Sequence, residues 1–181
     1  MRAISAIALI TTTTLIAQTV TQKPKVTEVA ANGFQIRMTI PCKAKPDVVY
    51  DSFVNDVGEW WDKSHTYTQD ATNLSIEPKP NGWFIEKLPN GGFVRHFEIV
   101  YLAPSKTIRL EGGMGPLQEQ GVAGSMTINF KPAGDGTDID LTYNVGGFMP
   151  GGEAKMKQWS EPVKMVITQQ MERLSAFAEK Q

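Results

Sequence analysis

The chain contains 181 residues, of which 41% are apolar and 20% charged, and its formal net charge at pH 7 is −1. These proportions are typical of a single globular domain and exclude the disordered and fibrous classes. A net charge this small also lacks the electrostatic footprint of a nucleic-acid-binding protein or of a protein that adheres to anionic membranes. The sequence therefore predicts no nucleic-acid partner.

The first residues follow the layout of a secretory signal peptide. A positive end at Arg2 precedes an apolar run over residues 3–10, and a small, polar stretch leads to Ala17. The run is too short for a helix that spans the roughly 30 Å hydrocarbon core of a bilayer. A frayed or anchoring N-terminal helix is the alternative interpretation. The favoured one gives a signal peptide over 1–17, a linker over 18–25 and one domain over 26–181, periplasmic or secreted, with no integral membrane segment after cleavage.

Alternation of apolar and polar residues then predicts strands. Residues 26–42 alternate well enough for a strand pair or one long bent strand, in which the single cysteine, Cys42, is expected to be a small buried side chain. Pro46 suits the first turn of a helix that Gly58 ends, and residues 59–62 begin a second short element. Further short strands, bounded by Pro, Asn and Gly, are predicted over residues 73–77, 82–88, 93–102, 107–111, 124–132 and 137–145.

Towards the C-terminus the apolar residues change to a helical period of three and four. The stripe consists of Met156, Trp159, Val163, Ile167, Gln170, Leu174 and Phe177. Because Ser160 is a good N-cap and Pro162 suits a first turn, the main helix is expected to begin near Glu161, after a separate lead-in over residues 153–159. No crossover helices separate the strands, so the sheet is antiparallel. The predicted fold is α+β, a curved antiparallel sheet of six or seven strands wrapped around a long C-terminal helix.

Three segments and the order of elements carry a family resemblance. The segments are Trp60-Trp61 with His65-Thr66-Tyr67, then Gly82-Trp83-Phe84-Ile85-Glu86 with His96, and Gly112-Gly113-Met114-Gly115-Pro116-Leu117-Gln118. Over about residues 26–179 the chain resembles an exported branch of the helix-grip superfamily, which includes START-like, polyketide-cyclase and lipid-transfer proteins. The resemblance implies a hydrophobic small molecule held between the sheet and the long helix. A minority of the superfamily are cyclases or hydrolases, and a fold alone does not choose between these activities.

The candidate polar groups of such a cavity are Glu86 and the two histidines, His65 and His96. A Glu–His pair in an apolar pocket can transfer protons or hold the polar end of a ligand, and a structural hydrogen bond is the commonest role of such residues. Their number would suffice for a metal site, but their spacing matches no metal motif, so no metal is predicted. Whether Glu86 and His96 share a face depends on a hairpin register that the sequence leaves open.

Two glycine-rich loops, over residues 112–118 and 146–152, are predicted to form the cavity entrance, with plain connecting turns as the alternative. Of the adjacent indoles, one is expected to pack in the core and the other to lie at the cavity mouth, because helical neighbours point about 100° apart. The predicted ligand-binding residues are Trp60, Trp61, His65, Tyr67, Phe84, Glu86, His96, Met114, Leu117, Tyr143, Phe148 and Trp159.

The leading functional hypothesis is an exported protein that binds a hydrophobic or amphipathic small molecule or lipid and uses no cofactor. The alternative is a cyclase or dehydratase in which Glu86 and His96 act as acid and base. The superfamily also suggests a module that stimulates an ATP-dependent chaperone, and export argues against it because the periplasm lacks ATP. No protein partner follows from the sequence.

Overall fold

The computed structural model describes residues 21–181. The predicted signal peptide over residues 1–17 and the first part of the predicted linker lie outside the described residues. Within the described part of the chain, no helix is both long enough and apolar enough to cross a membrane.

One antiparallel sheet of eight strands forms the framework. The strands are β1 (Lys25–Ala30), β2 (Gly33–Cys42), β3 (Leu74–Ile76), β4 (Trp83–Lys87), β5 (Phe93–Ala103), β6 (Thr107–Gly112), β7 (Val122–Ala133) and β8 (Gly136–Gly147). They lie in the order β1-β2-β8-β7-β6-β5-β4-β3, so only the β2–β8 pair joins strands that are distant in the chain. The α+β prediction is confirmed. The count is eight rather than six or seven because the first predicted segment is a pair of strands.

Helices α1 (Pro46–Asn55) and α2 (Val57–Trp60) follow β2 directly. Pro46 occupies the first turn of α1, as predicted, and Val49 and Phe53 are buried one turn apart. Gly58 does not end the helical region as predicted but lies within α2. A Cβ at this position would come within 3.1 Å of the carbonyl oxygen of Ala71, so the glycine permits close packing there.

The long C-terminal helix, α3 (Gly152–Ala178), packs against β1 and β2 and against α1. It is one continuous helix, so the expected start near Glu161 is wrong. Pro162 lies inside the helix, where its ring leaves the carbonyl of Gln158 without its usual N–H partner. Ser160 is not the N-cap; it is buried and its hydroxyl donates to the carbonyl of Lys157. The free energy gained by packing the apolar stripe outweighs the loss of one backbone hydrogen bond.

The core lies between the concave face of the sheet and α3. On β2 the predicted inward face is confirmed, because Phe34, Ile36, Met38 and Ile40 are all buried. Cys42 continues that face and is buried as predicted, with its Sγ 3.6 Å from the carbonyl oxygen of Ser175 on α3. This layer fixes α3 over one half of the sheet, and the candidate site lies over the other half.

Candidate ligand-binding site

A cavity of about 320 Å³ opens between α3 and two connecting segments. We call residues 61–67, which follow α2, the post-α2 segment, and residues 113–121, which join β6 to β7, the entrance loop. The cavity lining consists of Trp61, Ser64, His65, Thr66, Tyr67, Leu74, His96, Met114, Gly115, Pro116, Leu117, Trp159, Pro162, Val163, Val166 and Ile167. Most of this lining is apolar, as expected for a site that binds a small molecule mainly by burying its surface.

Helix α3 supplies one wall of the cavity. Trp159, Val163 and Ile167 recur at the helical spacing that the sequence analysis identified, and Pro162 and Val166 lie beside them. The stripe therefore divides along its length. Towards the C-terminus Leu174 is fully buried against the core, whereas the cavity borders α3 between Trp159 and Ile167.

The two adjacent indoles have different positions, as predicted. Trp60 is 1% exposed, stacks on Phe53 and donates its N–H to the carbonyl oxygen of Ser52, so it is a core residue and not a ligand contact. Trp61 lines the cavity, and its N–H donates to the carbonyl oxygen of His65 at 3.1 Å. This bond closes the post-α2 segment into a compact turn and leaves the apolar faces of Trp61 available for packing.

A β-bulge brings His96 to the cavity. Glu86 on β4 lies opposite Val94, and Phe84 lies opposite Phe97, so His96 is the extra residue of β5 between these pairs. An unbulged strand would point His96 and Phe97 to opposite faces, but both are buried. Glu86 and His96 therefore both point inwards although they are not paired, which resolves the register that the sequence left open.

Gly112, the last residue of β6, makes this bulge possible. A Cβ at position 112 would lie 2.2 Å from the carbonyl oxygen of His96 and 3.0 Å from the Cα of Phe97. These separations are far below a van der Waals contact, so a side chain at this position would force β5 and β6 apart. The glycine at the start of the predicted entrance loop thus has a packing role, and its φ of 156° is also one that residues with a side chain rarely adopt.

Glu86 is completely buried and anchors the end of the post-α2 segment. Its Oε2 accepts from the backbone N–H of Tyr67 at 3.0 Å, and its Oε1 accepts from that of Thr68 at 2.7 Å. Bonds from N–H groups to a carboxylate are stronger than those between neutral groups. Glu86 does not line the cavity itself. It lies behind the wall and holds Tyr67 in place.

His96 joins the entrance loop to Glu86. The N–H of Gly115 donates to His96 Nδ1 at 3.3 Å, and His96 Nε2 lies 3.7 Å from Glu86 Oε2. Because Nδ1 accepts this hydrogen bond, the neutral ring carries its hydrogen on Nε2, which faces the carboxylate. Tyr67 stacks on the imidazole with a centroid separation of 6.3 Å. His96 therefore connects both segments that bound the cavity, and each of its nitrogens faces a protein group.

Burial lowers the pKa of His96 and outweighs the opposing effect of Glu86, which faces its Nε2. The unfolded chain then holds more protons than the folded one as pH falls from about 6.5 towards this lowered pKa, so stability decreases over that window. Protonation would also place an N–H on Nδ1 against the N–H of Gly115. The entrance loop therefore loses its bond to His96 in acid.

We expect the free energy of unfolding to decrease between about pH 7.5 and 5.5 by at most ~1.4 kcal/mol per pH unit, and the substitution His96→Gln to remove that dependence. Urea unfolding at several pH values measures it. Asp62 and Asp70 do not interfere, because hydrogen bonds from Ser64 and Thr72 hold the pKa values of these carboxyl groups below their usual range. His65→Gln is the matched control and should keep the dependence. If the free energy of unfolding of His96→Gln depended on pH as that of the parent does, His96 would not be the cause of the dependence.

Two tyrosines near the cavity have raised pKa values. Burial raises the pKa of Tyr67, and the carboxylates of Glu119 and Glu86 add to the effect. Tyr143 is fully buried, and its pKa is raised by the same loss of water. The backbone of Met114 approaches the Tyr143 hydroxyl, but that oxygen has no hydrogen bond of normal geometry among the described residues. Both phenols are therefore neutral at physiological pH.

The predicted ligand-binding residues fall into three groups. Those on the cavity wall are Trp61, His65, Tyr67, His96, Met114, Leu117 and Trp159. Those buried behind it are Trp60, Phe84, Glu86 and Tyr143. Phe148 belongs to neither group, because it is 82% exposed and outside the lining, so its prediction is wrong. The loop that carries it places Met149 in the core instead, and the neighbouring side chain points to solvent.

Apart from Trp159, the sequence analysis does not identify the residues of α3 that line the cavity, nor the two prolines. Val163 and Ile167 belong to the predicted apolar stripe, which gave no signal that half of it borders a cavity rather than the core. The sequence places Pro116 in the predicted entrance loop and Pro162 in the first turn of the predicted helix, and neither pattern assigns the proline itself to the cavity wall. Within residues 21–181 no three His, Cys, Asp or Glu side chains come together in a group that could hold a metal ion.

A curved sheet that holds an apolar cavity against a long C-terminal helix defines a helix-grip protein. The chain belongs to the family described as polyketide cyclase/dehydrase and lipid transport, whose sequence model matches residues 33–179. Comparison with curated proteins gave no significant match.

Solved structures share this fold at low sequence identity. An uncharacterized protein from Rhizobium leguminosarum has a TM-score of 0.60 at 14% identity, and the match covers 86% of this chain and 100% of that one. The di-domain ARO/CYC StfQ of the steffimycin biosynthetic pathway has a TM-score of 0.59 at 15% identity, over 83% of this chain and 52% of its own. Ara h 8.0201 has a TM-score of 0.54 at 15% identity, and the match covers 81% of this chain and 98% of that one. At these identities the likeness establishes the fold alone.

Proposed function

We propose that this protein is an exported binding protein for a hydrophobic small molecule, held in the cavity between the entrance loop, the post-α2 segment and α3. The observation that carries the proposal is the cavity itself, about 320 Å³ of open space with a largely apolar lining in an otherwise well-packed core. Empty apolar space of this size destabilises a protein, because the lining atoms lose packing partners. A ligand restores those contacts.

The affinity expected of such a site is moderate. Burying about 300 Å² of apolar ligand surface at roughly 25 cal/mol per Å² gives ~7–8 kcal/mol before the costs of ordering the ligand. The expected dissociation constants therefore lie between about 10 and 100 μM for a well-fitting apolar compound. Trp61 and Trp159 line the cavity from different segments, the post-α2 segment and α3, so each indole offers apolar surface to a ligand.

N-phenyl-1-naphthylamine, an uncharged dye whose emission rises in apolar surroundings, tests this function. We expect it to bind in the micromolar range and Val163→Trp to weaken binding at least tenfold, because the added indole fills the cavity from the partly buried side of α3. Met165→Trp adds the same side chain at a position of α3 that is 64% exposed, and should bind like the parent. A folded Val163→Trp variant with parental affinity would exclude the cavity as the binding site.

The ligand and the export can be identified together in the natural host. The expected result is a mature protein that lacks about the first seventeen residues and carries a small apolar molecule, both visible as masses in native mass spectrometry. A protein that retains Met1 would contradict export without affecting the binding proposal.

A second candidate is a cyclase or dehydratase, and one observation favours it. His96 lies on the cavity wall with Nε2 3.7 Å from the buried carboxylate of Glu86, an arrangement that can relay a proton. The occupied ring nitrogens argue against it, since a general base needs a free nitrogen within reach of the substrate. The binding function accounts for the same contacts without that requirement.

Turnover of a linear poly-β-ketone separates the two candidates. A dehydratase releases a product that is lighter by one water, and we expect His96→Gln to reduce that rate by about 100-fold or more if His96 is the base. A binding protein yields no lighter product, and His96→Gln then changes only ligand affinity. Mass spectrometry of the incubated compound decides between them.

A further inference from the structure

The electrostatic character of the cavity points to a class of ligand. Of the described residues that line it, none is Lys, Arg, Asp or Glu. The only ionisable groups on the wall are His65, His96 and Tyr67. A buried organic anion needs a cation or several donors to replace its water, and without them its transfer is strongly unfavourable.

Several of the polar groups nearest the cavity already have partners within the protein. His96 uses Nδ1 to accept from Gly115 and turns Nε2 towards Glu86. The N–H of Trp61 is already donated to the carbonyl of His65. The hydroxyl of Thr66 donates to the carbonyl of Lys63, and that of Ser64 to the carboxylate of Asp62. These three donors of the post-α2 segment are therefore committed within the protein, and the phenol of Tyr67, which is not among them, is neutral.

Two carboxylates act on side chains of the cavity wall. Glu86 lies directly behind Tyr67 and His96, and Glu119, on the entrance loop, is close enough to Tyr67 to raise its pKa. A carboxylate, sulfonate or phosphate that entered the cavity would be repelled by the buried carboxylate of Glu86, and the exposed Glu119 would add a smaller effect because water screens it. Attraction from a facing cation is not available on the lining to offset them.

The size of the cavity limits the ligand as well. A cavity of about 150 Å³ holds one benzene molecule, so about 320 Å³ holds a compound of roughly two rings. A lipid with two acyl chains does not fit inside.

Resting on the proposed function, we infer that this cavity selects uncharged, largely apolar molecules of about two rings and rejects organic anions, including the fatty-acid carboxylates that an apolar pocket would otherwise accept.

A matched pair of dyes tests the inference. N-phenyl-1-naphthylamine and 8-anilino-1-naphthalenesulfonate share the same ring system and differ by one sulfonate. At about pH 8, above the reference imidazole pKa of about 6.5, we expect the sulfonate to bind at least tenfold more weakly to the parent protein. Equal or tighter binding of the sulfonate in the same cavity would overturn the inference and leave the proposed function intact.

A positive charge added to the cavity wall shows whether the sulfonate dye is excluded by electrostatic repulsion or by its size. Val163→Lys places an ammonium at the partly buried rim of the cavity, where a lysine can keep its charge in water. We expect this variant to bind the sulfonate at least tenfold more tightly than the parent does, whereas Met165→Lys on the exposed side of α3 should not. Val166→Lys replaces the first variant if that one does not fold. Failure of a folded lysine variant to gain affinity would show that the sulfonate is excluded by size, which contradicts the charge argument.

Two other results would contradict the proposed function itself. If neither binds the parent protein, or if the neutral dye binds Val163→Trp as well as the parent, the proposed function fails, and the inference fails with it.

Discussion

The substitution Glu86→Ala is expected to lower the free energy of unfolding by about 3–5 kcal/mol and to abolish dye binding. It removes the acceptor of two backbone N–H groups, at Tyr67 and Thr68, and the carboxylate that faces His96. Each N–H bond to a charged group contributes about 1.5–3 kcal/mol, and buried partners left unpaired add a desolvation penalty. Urea unfolding with circular dichroism measures the change in stability.

Glu98→Ala is the matched control. Glu98 lies on β5 and pairs with Arg95 at 3.1 Å in a partly exposed ion pair, so its removal should change stability by less than about 1 kcal/mol. If Glu86→Ala were no more destabilising than Glu98→Ala, Glu86 would not anchor the post-α2 segment.

The substitution Gly112→Ala is expected to destabilise the protein by about 3 kcal/mol, the upper end of the overpacking range, and to weaken dye binding. Its methyl group would lie 2.2 Å from the carbonyl oxygen of His96, which β5 can relieve only by moving away from β6. The movement would displace the imidazole from Gly115 and disturb the wall of the cavity. Thermal unfolding and dye titration measure the two effects.

Gly146→Ala controls for the general effect of adding a methyl group to a strand glycine. A Cβ at this position has ordinary contacts, the nearest atom being the carbonyl oxygen of Asn32 at 3.5 Å. This variant should be unchanged or slightly more stable, since alanine restricts the unfolded chain. Equal losses in Gly112→Ala and Gly146→Ala would indicate that strand propensity, and not the approach of β6 to the bulge, makes Gly112 necessary.

The fold could be predicted because its elements have strong local periodicity. The alternation in β2 and the three-and-four spacing in α3 are set by burial on one face, and that pattern is visible in the residues themselves. The start of α3 could not be predicted in the same way. Local preference at Ser160 and Pro162 favours a helix start, whereas packing of residues before them keeps the helix continuous.

The site was predictable in part for a related reason. Trp61, Met114 and Trp159 carry apolar surface in segments that border the cavity, and the sequence shows both properties. The inward turn of His96 depends on a bulge that forms between two strands, so a single strand does not encode it. Phe148 and Met149 are adjacent apolar residues in a glycine-rich loop, and only the path of that loop decides which one is buried.

A crystal structure of the protein with N-phenyl-1-naphthylamine tests the central claim most directly. The outcome we predict is one dye molecule in the cavity, in contact with Met114, Val163 and an indole of Trp61 or Trp159. The contradicting outcome is a cavity closed by its own side chains, with the dye on the outer face of the sheet against the stacked, exposed rings of Trp83 and Phe93.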